Sequence, residues 1–261
     1  MEETLLSYYR NNSVDGIDEI ERNITGKPTV VDSPVIEGCI INNTIMSGCA
    51  SMIVDKDTVE MLLDNYDKSE MDKSKLTNML TLINVIVQEY FYSENEEKGD
   101  RAKEYRSSLV KDKDGMIIGT KLSSLKGKNV AKCSEKSVAA YIILNTLFRK
   151  GELSRKPSLL LTKLGLKNSK QEPHACILLD KDTDNYPTKH LLFDIENPNK
   201  IINSEGKSSY IIGLYCLTDE QYKDLVMGRQ CSPKHLMEEV SNNKIVGETR
   251  IYGEDSIQKD L

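Results

Sequence analysis

Tryptophan is absent from the 261 residues, and histidine occurs only three times, so any imidazole chemistry rests on His174, His190 or His235. No apolar run approaches the roughly 18 residues that a membrane helix needs. The opening MEETLLSYYRNN has neither a basic start nor a long apolar stretch, so no secretory signal is read there, and the expected setting is cytoplasmic with no membrane partner. The six cysteines form no C-x-x-C pair and are read as free thiols rather than as a disulfide frame. A formal charge of -6, with no arginine-rich stretch interleaved with aromatics, argues against a nucleic-acid partner held by counterion release. Gly115 and Gly119 flank Met116 to Ile118, but no strand-turn-helix phosphate fingerprint accompanies them. No cofactor is expected, and the oligomeric state is left open.

What is present is ordinary for a globular chain: 38% hydrophobic and 29% charged residues, the charge spread rather than blocked. The length allows a core of its own plus an added subdomain. Residues 1 to 60 mix turn signals with short β-prone runs at Thr29 to Val31 and Ile40 to Ile45. From Lys73, the residues Leu76, Met79, Leu80, Ile83, Ile86, Val87 and Tyr90 recur at three- and four-residue spacing, which predicts a helix over about 73–92. The charged SENEEKGDR that follows reads as a loop, and a boundary is placed there, giving a mixed N-terminal segment (1–100) and a catalytic core (101–261).

Within that second part, Asp114-Gly115 signals a hairpin, and Lys121 to Lys128 a polar loop. SEKSVAAYIILNTLFRK, from Ser134 to Lys150, has Glu135 in its first turn, two cations in its last and Gly151 as a stop, all consistent with one helix. After a basic stretch to Lys170, Ala175 to Leu179 and His190 to Ile195 read as a hairpin around DKDTDNYPTK. Ser209 to Leu217 reads as a third strand, and Asp219 to Met227 as the start of a terminal helix.

A nucleophilic thiol must be accessible and partly ionised, and a helix N-terminus supplies the N–H groups and positive potential that favour this. Cys133 stands where the helix at Ser134 begins. A cysteine in such a place is commonly a small core filler, so its partners decide the matter. His174 opens the first strand of the expected hairpin and Asp194 lies on the returning strand, where antiparallel neighbours can meet. Facing the helix start, His174 would move the thiol proton to the leaving amine and Asp194 would hold the imidazole in the useful tautomer.

The stretches KCSEKSVAAYIILNTLFRKG, PHACILLD and KHLLFDIENP together resemble the transglutaminase-like superfamily over roughly Val130 to Pro198. The matching positions are Cys133 with Glu135, His174 with Ala175, and Asp194 with Asn197 and Pro198. The chain departs from that family in having no tryptophan after the His-Ala pair, and in Ala131-Lys132 before the cysteine. The resemblance implies an α+β fold with a nucleophile helix packed on an antiparallel sheet. It also implies cysteine-dependent amide or acyl chemistry through a thioester, as a peptidase, glutamine deamidase or transglutaminase acting on a protein or peptide. Papain-like peptidases and arylamine N-acetyltransferases are similar at the same level, although the Arg-Gly-Gly lead-in of the latter is missing. The backbone N–H of Cys133 is one candidate oxyanion donor, with Asn129 as a second.

Each of these readings has a plainer rival. Cys176 shares a strand face with His174, but its apolar neighbours point to core packing. His190, four residues before Asp194, is the alternative base. Cys231 and His235 have Pro233 between them and no second ligand pair, which argues against zinc. Lys121, Lys126, Lys128 and Lys132 read as solvated surface. An inert binding or scaffold module of the same fold is the alternative to an enzyme.

Overall fold

The computed structural model describes residues 3–12, 15–21, 28–42, 51–92, 101–166, 171–202, 208–240, 244–246 and 250–252. Among these, helices and sheets mix in an α+β arrangement, and no helix is long and apolar enough to cross a membrane. Two units divide the chain: residues 1–22 with 33–154, and residues 23–32 with 155–261. The division thus falls after Ser154 and not near residue 100, because the expected nucleophile helix packs with the helices that precede it.

In the first unit, α1 (Leu5–Asn11), α2 (Lys56–Lys68), α3 (Leu76–Phe91), α4 (Arg101–Ser107) and α5 (Cys133–Lys150) accompany a five-stranded sheet. Its strands are β1 (Ile17–Glu21), β3 (Val35–Asn42), β4 (Met52–Ile53), β5 (Leu109–Lys111) and β6 (Ile117–Lys121), in the order β1-β3-β4-β6-β5. β3 takes up the first part of the apolar run expected at Ile40 to Ile45, whose end lies outside the described residues, as does most of the expected loop from Ser93. The Asp114-Gly115 hairpin forms between β5 and β6, with Gly115 at φ +81°, a conformation glycine reaches without steric cost. Residues Leu122–Leu125, read as loop, form a 3-10 turn.

α3 buries Met79, Leu80, Ile83, Ile86, Val87 and Tyr90, the face that the spacing marked out. α5 is buried more completely, every residue from Val138 to Leu147 being inside. A helix apolar on all sides must be surrounded, and α5 packs against α1, α2, α3 and β3. Its polar groups are paired: the Tyr141 hydroxyl donates to Ser33 O at 2.9 Å and Thr146 Oγ1 to Ile142 O at 2.8 Å. Gly151 ends the helix at φ 82°, its N–H returning to Leu147 and Phe148 carbonyls.

The second unit is built on an eight-stranded sheet. Its central strands are β7 (Pro157–Leu166), β8 (Glu172–Leu179), β9 (His190–Ile202) and β10 (Ser208–Leu217), successively antiparallel. β11 (Lys234–His235) extends β10 and β13 (Arg250–Tyr252) lies on β7, which also pairs with β2 (Thr29–Val31); β12 (Lys244–Val246) pairs with β9. α6 (Asp219–Val226) and α7 (Leu236–Val240) complete it. β7 was unmarked in the sequence because Ser158 to Thr162 are all buried, which removes the alternation that marks a half-solvated strand. One apolar cluster includes Leu160 from β7, Cys176 and Leu178 from β8, Leu192 from β9, Tyr215 from β10 and Tyr252 from β13.

Candidate functional site

Period-two geometry sets His174, Cys176 and Leu178 on one face of β8, and Leu192 and Asp194 on one face of β9. Leu178 pairs with Leu192 across the strands, so the two faces are the same one, and His174 and Asp194 approach diagonally. His174 Nε2 lies 3.0 Å from Asp194 Oδ2, and both side chains are buried.

Asp194 is held by a distortion of the sheet. Gly213 of β10 pairs with Asp194, yet two residues earlier Ile211 pairs with Asn199, so β9 bulges outward over the intervening residues. The bulge turns two backbone N–H groups back on the carboxylate: Glu196 N and Asn197 N each donate to Oδ1 at 3.2 Å. Asn197 Nδ2 donates to both oxygens, and the Tyr252 hydroxyl donates to Oδ2 at 2.8 Å. Burial alone would raise the Asp194 pKa, but the charge on His174 and these hydrogen bonds outweigh it and hold the carboxyl below the usual range. An ionised carboxylate only accepts, so Nε2 carries a proton in both the charged and the neutral ring, and in the neutral ring the nitrogen able to take a proton from a reacting group is Nδ1.

Gly213 is what lets β10 approach so closely. A Cβ built there would meet Asp194 O at 2.6 Å, Asn197 O at 2.8 Å and Asp194 Cβ at 3.1 Å. From the other side, Arg250 Nη1 donates to Asn197 O and to the Tyr215 hydroxyl, and Nη2 donates to Pro198 O at 3.1 Å, bracing the bulge. Asn199 Nδ2 completes the network on the Tyr215 hydroxyl at 2.8 Å.

Cys133 is the first residue of α5, half-buried, and belongs to the first unit, whereas His174 and Asp194 belong to the second. The helix start is organised by Glu135, which is fully buried: its Oε2 accepts from Lys132 N at 3.0 Å and from Ser134 Oγ at 3.2 Å, and its Oε1 from the Tyr105 hydroxyl at 3.3 Å. Reaching back to the N-cap N–H is half of a capping box, and it places a carboxylate in the first turn. Asn129 occupies a left-handed turn (φ 51°) ahead of the helix, its N–H donating to Phe91 O at 2.9 Å.

The chain matches no protein-family model, no curated protein and no solved structure.

The remaining candidates fall to other uses. His190 stacks on Tyr222 with centroids 3.9 Å apart, accepts from Lys181 N through Nδ1 at 3.1 Å, and sits near Asp180 and Asp219 instead of Asp194. Burial lowers its pKa against the pull of those two carboxylates. His235 donates through Nε2 to Ile212 O at 2.8 Å and accepts from Met237 N at 3.1 Å, and burial lowers its pKa too. Cys231 lies in the apolar cluster, its thiol pushed up to about 12 by burial, and among the described residues no His, Cys, Asp and Glu group could hold a metal ion. Cys176 is fully buried in the same cluster. Lys121, Lys126 and Lys132 are exposed and Lys128 is half-buried.

Sequence reasoning therefore located the His-Asp pair but missed Tyr252, Arg250, Tyr215 and Gly213. Asn197 was marked by the Asn-Pro that closes KHLLFDIENP. Nothing in the three-residue strand carrying Tyr252 and Arg250 distinguishes it from any other short polar-apolar run.

Proposed function

We propose that the chain is a cysteine-dependent amide or acyl hydrolase or transferase with a transglutaminase-like core, in which Cys133 is the nucleophile, His174 the general base and acid, and Asp194 the group that orients the imidazole. The observation that carries this reading is the buried His174–Asp194 pair, whose carboxylate receives donors on both oxygens. A bulge, a close glycine and an arginine brace all converge on one carboxylate, a costly arrangement for a pair with no task beyond packing. In this reading the third role falls to Cys133, which stands at the start of a long buried helix.

In this reading the thiol gives its proton to His174 Nδ1 and its sulfur bonds to the substrate's carbonyl carbon. The tetrahedral adduct then collapses: the C–N bond breaks, the amine leaves with the proton from His174, and a thioester remains on Cys133. Water or an amine, deprotonated by the same imidazole, attacks the thioester and restores the thiol. Water makes the enzyme a peptidase or a glutamine deamidase, and an amine makes it a cross-linking transferase. The backbone N–H of Cys133, with Asn129 as a second donor, would stabilise the oxyanion.

The test offers a pool of glutamine-containing peptides and a fluorescent primary amine to the wild type and to Cys133→Ala. Mass spectrometry then reads cleavage, deamidation and amine incorporation. Any of the three products in the wild type and none in the variant supports the reading. Equal products in both proteins overturn the role of Cys133, and none in either, together with slow, uniform labelling of every cysteine by iodoacetamide, leaves an inert module of the same fold.

A further inference from the structure

The notable neighbour of the pair is a residue 58 positions beyond Asp194 in the chain. Tyr252 is fully buried, and its backbone is fixed on both sides. It pairs with Leu164 of β7, its N–H donates to Cys231 O at 3.0 Å, and its carbonyl accepts from Cys231 N at 2.8 Å. With its backbone so held, the ring has little freedom, and it lies 6.1 Å from the His174 ring, centroid to centroid. A buried phenol needs one acceptor, and a backbone carbonyl would serve. Here it donates to Asp194 Oδ2, the same oxygen that faces His174 Nε2. Two residues earlier on the same strand, Arg250 braces the bulge that aims Asn197 at that carboxylate.

We propose that Tyr252 is a positioning residue of the His174–Asp194 pair: its hydroxyl fixes the orientation of the Asp194 carboxylate and draws off part of its charge, and so sets how strongly that carboxylate holds the His174 proton. The catalytic consequence rests on the cysteine-enzyme reading above; the effect on His174 does not. Burial keeps the phenol protonated, raising its pKa well above the ordinary value, so it stays a donor. Among the described residues, the ionisable groups near the pair include Cys176 on β8, Glu196 on β9, Tyr215 on β10, and Arg250 with Tyr252 on β13. Of these side chains, the phenol of Tyr252 is the one that donates directly to the Asp194 carboxylate.

The sign follows from sharing. A carboxylate relieved of one donor leans more strongly on the remaining ones, so losing the hydroxyl stabilises the imidazolium, and strengthening the hydroxyl as a donor does the reverse. The experiment follows the three histidine side chains of the full chain by 15N NMR across pH, with His190 as the internal reference for the position-252 proteins and His235, away from Tyr222 and Asp180, as the reference for Tyr222→Phe. Four proteins are compared: wild type, Tyr252→Phe, the protein with 3-fluorotyrosine at position 252, and Tyr222→Phe. The last removes a tyrosine hydroxyl donated to a different carboxylate, Asp180 Oδ1 at 3.1 Å, in the same unit.

The expected result is a His174 midpoint that rises in Tyr252→Phe, falls with 3-fluorotyrosine and stays in place in Tyr222→Phe. A His174 midpoint that stays fixed in both position-252 proteins overturns the proposal. So does one that moves the same way in both, or one that moves as much in Tyr222→Phe. The fluorinated side chain retains the ring and hydroxyl, so its arm stands even if the phenylalanine variant does not fold. Because Cys133 takes no part in this readout, failure of the enzyme reading and failure of the positioning role register separately.

Discussion

Replacing Asp194 by Asn keeps the shape of the side chain and removes its charge, and the structure dictates how the protein must respond. One oxygen of the carboxylate becomes an NH2 group. If that group takes the Oδ1 place, it faces the fixed backbone N–H groups of Glu196 and Asn197, two donors that cannot turn away. If it takes the Oδ2 place, it faces the Tyr252 hydroxyl, which can rotate to accept, His174 Nε2, which can accept once its proton moves to Nδ1, and Asn197 Nδ2, which keeps its bond to the oxygen at the Oδ1 place. The second arrangement is the cheaper one, since each buried donor left unmatched costs about 1–3 kcal/mol. The variant should therefore fold with a stability loss of about 1–3 kcal/mol, mostly the charge-assisted bond to His174. It should also hold His174 in the wrong tautomer, with N–H in place of a base at Nδ1. In a Ser-His-Asp triad that inversion costs about 10⁴-fold in turnover. Urea unfolding measures the first effect, 15N shifts of His174 the second, and iodoacetamide labelling of Cys133 near neutral pH the consequence that the proposed function requires. A His174 tautomer unchanged in Asp194→Asn would refute the reasoning, as would an inverted tautomer with Cys133 labelling at the wild-type rate.

Gly213→Ala forces a Cβ to within 2.6 Å of Asp194 O and 2.8 Å of Asn197 O, both backbone atoms, so β10 or the bulge must move. A stability loss of about 1–3 kcal/mol is expected by thermal unfolding, with a displaced His174 resonance. Arg155 is fully buried and donates to the carbonyls of Asp180, Asn185, Pro187 and Lys189, tying down the β8–β9 connection. Arg155→Leu should lower stability by about 3 kcal/mol in urea titration while leaving the His174 tautomer unchanged. The Asp194 carboxyl is depressed in the folded state, so its stabilising contribution is fully present above the ordinary carboxylate range and is lost as pH falls through the lower folded value. The stability difference between the wild type and Asp194→Asn should accordingly shrink as urea unfolding is repeated from pH 7 down to pH 3.

The parts of the fold that were legible are those whose information is local. α5 was marked by Glu135 at its start, cations at its end and Gly151 beyond it, and it forms with that glycine in the left-handed turn. α3 was marked by its spacing, and all but the first of those apolar residues are buried. The β8–β9 hairpin was marked by two apolar runs around a polar turn, and period-two geometry sets His174 and Asp194 on the same face of the sheet, diagonal to one another. The parts that were not legible depend on distant chain or on burial from both sides. β7 reads as a basic stretch with an apolar patch because its buried half never alternates. The bulge after Asp194 has no signal of its own, since it follows from the close approach of Gly213 and the bracing by Arg250. Tyr252 reaches Asp194 from a three-residue strand, too short to show a period. α2 (Lys56–Lys68) escaped notice although Asp55 caps it, with Oδ1 accepting from Thr58 N at 3.1 Å. The unit boundary depends on which helices α5 packs against, and its own sequence does not encode that.

The proposed function requires the Cys133 thiol and the His174 imidazole to act together, and the rate of iodoacetamide labelling at each cysteine, followed by mass spectrometry across pH in the wild type and in His174→Ala, tests that proposal most directly. The account predicts that Cys133 labels far faster than the other cysteines at and below neutral pH and loses that advantage in His174→Ala. A Cys133 that labels no faster than the others, or whose advantage survives removal of His174, would contradict it.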